Sequence, residues 1–145
     1  MKKTMFILLI SSLSVIVNGQ DRSPAKSYCD SIFKEITQNL IVEALPVYPG
    51  GVKAMNQFIS DNLNISVNPD TLKGKIQGML NIDANGHIKN ACVYKVISGR
   101  KSSMDATPLG IELLRIIQMM PDWTPAMQNG KNIRVKHFLI DIPLK

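Results

Sequence analysis

Lys75-Ile76-Gln77-Gly78-Met79-Leu80-Asn81-Ile82-Asp83-Ala84-Asn85-Gly86, followed by Ile88 to Val96, is the stretch whose reading decides the fold. Ile76, Gly78, Leu80 and Ile82 fall on one side and Lys75, Gln77, Asn81 and Asp83 on the other, which is the two-residue period of a half-buried strand. Met79 is the exception, an apolar residue on the polar face. Asn-Gly tolerates the positive φ angles that a tight turn needs, and it has a strand on each side. The chain is therefore expected to fold back through Asn85-Gly86 and pair Ile88 to Val96 with the first strand.

Reading outward toward the carboxy terminus, Ser98 to Thr107 is polar and reads as a loop. Thr107-Pro108 can cap and start a helix whose apolar residues are Leu109, Leu113, Leu114, Ile116 and Ile117, with Pro121 ending it. Asp122 to Pro125 reads as extended, with Trp123 a core anchor rather than a ligand platform. Asn129-Gly130 turns, and Ile133 to Leu144 forms a last strand whose apolar phase slips between Val135 and Phe138, predicting a bulge. Toward the amino terminus, Val52, Met55, Phe58, Ile59 and Leu63 keep helical spacing. Two prolines and two glycines in Leu45 to Gly51 make the preceding segment extended and then turning. Further back, Tyr28, Ile32, Phe33, Ile36 and Leu40 recur at helical spacing in an extension over residues 20–44. The order helix, two strands, helix, strand predicts an α+β domain over residues 45–145, with two helices on a three-stranded antiparallel sheet and the last strand at an edge.

The first nineteen residues read as a signal peptide. Lys2 and Lys3 form a positive start, Met5 to Val17 is apolar apart from three serines, and Val17-Asn18-Gly19 suits cleavage before Gln20. The run is shorter than a usual membrane span and is broken by serines. A cleaved leader makes the chain an exported, periplasmic protein; a retained one makes it an inner-membrane-anchored protein. The 145 residues carry a net charge of +6, and removing Lys2 and Lys3 leaves an excess of four bases. These are dispersed, with no stripe suited to a phosphate backbone, so nucleic-acid binding is excluded. Cys29 and Cys92 do not form a CxxC motif. They leave two readings open: a disulfide that stabilises by roughly 4 kcal/mol through loop closure, or two free thiols.

No spacing suits a metal or cofactor, and no nucleophile motif is present. His87 and His137 are the two histidines, Ser102-Ser103 with Asp105 lies in the expected loop, and Asp70, Asp83 and Asp105 are isolated carboxylates suited to capping turns. The chain is read as a binding protein and not an enzyme; the alternatives are an exported interaction or regulatory module without energy transduction and an unrecognised hydrolase. An edge strand accepts an extended peptide through its main chain, which needs no catalytic residue. The expected peptide-binding residues are Arg134, Val135, Lys136, His137 and Phe138, with Arg134, Lys136 and His137 favouring acidic peptides.

Residues 45–145 also resemble the TonB carboxy-terminal domain family. The resemblance rests on Pro46-x-Tyr48-Pro49-Gly50-Gly51, Phe58-Ile59-x-x-Asn62-Leu63, Pro69, Gly74 and Ile82-Asp83-x-x-Gly86. It continues through Leu114-Arg115-Ile116-Ile117-x-x-Met120-Pro121-x-Trp123-x-Pro125, Asn129-Gly130-Lys131 and Ile142-Pro143. It implies two helices on a three-stranded sheet and pairing of an edge strand with a short peptide of an outer-membrane TonB-dependent receptor. An anchored form would also engage inner-membrane proton-channel partners. The chain departs from a full transducer because the residues from Gln20 to Glu43 contain one proline, Pro24, and no long Pro-rich spacer.

Overall fold

The computed structural model describes residues 29, 42–68 and 72–144. The expected leader and almost all of the expected amino-terminal helix lie outside the described residues, Cys29 excepted, as do Pro69 and Asp70. Helix α1 is Gly51–Asn62, followed by strands β1 (Lys75–Ile82), β2 (Ile88–Ile97) and β3 (Arg100–Ser103). Helix α2 is Pro108–Gln118, and strands β4 (Ala126–Gln128), β5 (Lys131–Ile133) and β6 (Val135–Asp141) complete the order. One antiparallel sheet runs β3-β2-β1-β6, and β4 and β5 form a separate hairpin. The molecule is thus α+β, with two helices against an antiparallel sheet.

The sheet has four strands where three were expected. Arg100–Ser103, read as part of a polar loop, pairs with Tyr94 to Ile97 after a tight turn in which Ser98 and Gly99 both take positive φ. The long last strand is also divided. Lys131–Ile133 pairs with Ala126–Gln128 across the Asn129-Gly130 turn, and the main sheet is rejoined at Val135.

The β1–β2 hairpin is present, but its turn differs from the expected one. Gly86 alone takes a positive φ, 89°; Asn85 does not. The Gly86 amide donates to the Asp83 carbonyl at 3.1 Å, and the Asp83 side chain accepts from the amides of Asn85 and His87. This is a four-residue turn closed by a left-handed glycine. Gly86 is needed for a second reason, because a Cβ there would overlap the Trp123 carbonyl. The Trp123 amide in turn donates to the Gly86 carbonyl at 2.9 Å, so the hairpin tip is docked on the segment before β4.

Helix α2 starts as expected: the Thr107 hydroxyl accepts from the Gly110 amide at 3.0 Å, and Pro108 occupies the first turn. Leu113, Ile116 and Ile117 on α2 and Met55 and Ile59 on α1 are buried with Ile76, Leu80, Ile82 and Val93 of the sheet. Arg115 joins the helices. Its guanidinium donates to the Asn62 carbonyl at 2.8 Å and to Glu112 at 2.7 Å, while Glu112 also accepts from the Asn64 amide.

The other face of the sheet explains Met79. Cys29 and Cys92 are joined in a disulfide with Cα atoms 5.4 Å apart, and together with Met79 and Tyr94 they form a second buried cluster. Met79 is 1% exposed on this face. Among the described residues, no helix is long and apolar enough to cross a membrane.

Candidate functional site

Among the described residues, strand β6 lies at an end of the sheet, beside β1 only. The Ile142 amide donates to the Ile76 carbonyl, which fixes the phase of the ladder. In an antiparallel pair, opposed residues alternate between bonding to one another and facing away. Ile140 and Phe138, two and four residues before Ile142 and opposite Gly78 and Leu80, therefore turn their main-chain groups toward β1. Leu139 and Asp141 turn theirs outward. Among the described residues no backbone group pairs with that outer side.

The register breaks where the sequence phase slips. Leu80 pairs with Phe138 and Ile82 with Val135, so Lys136 and His137 together face Asn81, and His137 takes a φ of 62°. This bulge separates the five expected binding residues. The Val135 side chain is buried on the core side of the sheet, opposite Ile82. Phe138 is half-buried, its ring edge-on to Trp123 at 5.8 Å. Arg134 and Lys136 are exposed at the start of the strand, and His137 is half-buried in the bulge.

Beside β6 runs a groove of about 550 Å³. One bank is Phe138 to Asp141; the other is Val47, Tyr48 and the first turns of α1 at Val52 and Met55; Trp123 also lines it. Tyr48 packs edge-on against Trp123 at 5.5 Å, and the Val47 backbone exchanges hydrogen bonds with Thr124, which holds the far bank in place. Two large apolar side chains of this groove reach solvent: Val52 is 69% exposed and Val47 50%; Leu139 contributes main chain, its side chain lying opposite Met79 on the disulfide face. Neither was among the expected site residues. Helical spacing places Val52 on the apolar face of α1 but does not say that this end of the face overhangs a groove. Trp123 is 4% exposed and serves as the expected core anchor.

The remaining candidates lie elsewhere. His87 stands at the hairpin turn between Asp83, at 3.4 Å, and Asp122, at 3.3 Å. The Ser103 hydroxyl accepts from the Asp105 amide, and the Asp105 carboxylate accepts from the Val93 amide, so this serine and carboxylate tie the segment between β3 and α2 to β2. Asp105 also lies with Cys29 and Cys92. Joined in a disulfide, the two sulfurs offer no thiolate to a metal. Comparison of the chain with protein families, with curated proteins and with solved structures finds no match.

Proposed function

We propose that this chain is an exported peptide-binding module of the TonB carboxy-terminal type, which takes the peptide of an outer-membrane TonB-dependent receptor as an added strand along β6. The observation that carries the reading is the free outer side of β6, where Leu139 and Asp141 offer main-chain donors and acceptors in the sheet plane. The α+β arrangement is compatible with the fold that the resemblance implies. A disulfide buried on the second face suits a chain matured in an oxidising compartment, which supports export. Arg134 and Lys136, exposed at the start of the strand, give the edge a preference for acidic peptides. Binding by main-chain pairing needs neither catalysis nor a cofactor.

Energy transduction is a separate step, because force needs an anchor. With the leader cleaved, the module docks on receptors without pulling; with residues 1–19 retained, it is anchored and pulled by inner-membrane proton-channel partners. The single proline between Gln20 and Glu43 favours the docking module. Hydrogen exchange of the ¹⁵N-labelled chain with receptor plug peptides tests the pairing. The Leu139 and Asp141 amides should become protected on titration, and protection elsewhere with none on β6 would defeat the proposal. Amino-terminal sequencing of the protein from its own cell decides between the cleaved and anchored forms.

A further inference from the structure

The groove beside β6 adds a demand that main-chain pairing alone does not make. A strand added at an edge sits about 4.8 Å from its neighbour and points alternate side chains to the two faces of the sheet. On the helix side of β6, that position opens onto the groove formed with Val47, Tyr48, Val52 and Met55. Its volume of about 550 Å³ is that of a small-ligand cleft, and its banks are mostly apolar. Val47 and Val52 leave apolar surface in water there, beside the strand edge at Phe138 and Ile140. The Trp123 indole N–H, in the same lining, is buried and has no acceptor among the described residues.

Charge narrows the occupant further. Arg134 and Lys136 are exposed at the start of β6, with no acidic partner among the described residues, while Asp141 at the far end is engaged by Lys75 and Gln77. From Lys136 to Ile140, whose side chain is on the groove side, is four residues but three strand steps once the bulge is counted, roughly 10 Å. We infer that the groove is a specificity subsite for an extended peptide carrying one large aliphatic or aromatic side chain, with a carboxylate about three residues away against Arg134 and Lys136. This rests on the strand-addition reading and adds a side-chain requirement to it.

The test uses the full chain with its disulfide intact. Nonapeptides are selected from a random display library on the wild-type chain, and their affinities are measured on that chain and on Val52→Lys. Val52 is a solvent-facing helix position, so the variant should keep the wild-type melting temperature. Selected peptides should share a Leu, Ile, Phe or Trp with Asp or Glu about three residues away. Changing that apolar residue to Ala, or Val52 to Lys in the protein, should each weaken binding roughly tenfold or more. Selection that enriches no such pattern, or affinity unchanged in Val52→Lys, overturns the subsite. Self-association that Val52→Lys abolishes also overturns it, because the groove then belongs to a second copy.

Strand addition is judged independently by amide exchange. Anchored peptides that need Val52 but leave the Leu139 and Asp141 amides unprotected keep the subsite and defeat strand addition. Receptor peptides that protect those amides yet bind Val52→Lys normally defeat the subsite and keep strand addition.

Discussion

The two edges of the main sheet are built to opposite ends. β3 has four residues, opens with Arg100-Lys101, and is reached through a tight Ser98-Gly99 turn. Lys101 carries its ammonium over the Tyr94 ring at 5.2 Å, so the charge is held at that edge. β6 has seven residues, a bulge at its start, and an apolar groove along its outer side. Short length and lysine are common means of blocking an edge. On the strand-addition proposal, the β3 edge is guarded and the β6 edge is the one that receives a strand.

Removing the disulfide is the harshest test of that contrast, because Cys92 lies on β2 between the two edges. The pair closes a loop with a sequence separation of 63, for which chain entropy predicts roughly 4 kcal/mol. Cys29→Ala with Cys92→Ala should lower stability by about that amount in urea titration. Peptide affinity per folded molecule should not change, since neither cysteine touches the groove. A large loss of affinity in the folded fraction would show that the second face and the β6 edge are coupled.

Gly86→Val comes next. It forces a branched residue to a φ of 89° and drives its Cβ into the Trp123 carbonyl. We expect a loss of about 2 kcal/mol or more. Trp123 packs on Tyr48 and Phe138, so exchange should quicken on β6 before it quickens on β3. Equal acceleration at both edges would mean that the hairpin tip does not preferentially support the groove side.

Exchanging the edge charges probes the closed side. Arg100→Val with Lys101→Val should change stability by no more than about 0.5 kcal/mol, as exposed substitutions usually do. It should nevertheless raise light scattering with protein concentration, because the guard on β3 is gone. A clear solution at high concentration would show that shortness alone blocks that edge.

The smallest effect concerns α1, the far bank of the groove. The Arg115 guanidinium and then the Asn64 amide hold the Glu112 carboxyl at about 2, against an ordinary 4.5. A carboxyl whose pKa is depressed by folding stabilises fully above its unfolded value, and that stabilisation is lost as pH falls through the folded one. The helix clasp should weaken between pH 4.5 and about 2. Acid titration of Glu112→Gln should show a shallower loss across that window, with peptide binding at neutral pH unaltered.

What was legible in the sequence was what is local. Thr107-Pro108 caps α2 because the hydroxyl and its target amide lie three residues apart, and the bulge in β6 is written in the slipped phase between Val135 and Phe138. β3 was missed because Arg-Lys-Ser-Ser alternates nothing apolar; it is a strand because the turn returns it to β2. The burial of the Val135 side chain was not legible, because a strand's faces cannot be assigned through a bulge before the register is known. The groove was beyond reach, since its banks at residues 47–55 and 138–141 meet only once α1 is laid against the sheet. The cysteine pair was visible, but whether it bridged depended on a distance that the folded chain sets at 5.4 Å.

The disulfide also decides where a mechanical load would enter. A pull on the chain ahead of Cys29 is handed covalently to Cys92 in the middle of β2, without running along the backbone between the two cysteines. From there, tension reaches the open edge across two ladders, β2 to β1 and β1 to β6. Helix α1 and the Leu45 to Gly51 segment lie off that line. The bank of the groove they form would keep its shape while the sheet bears the strain.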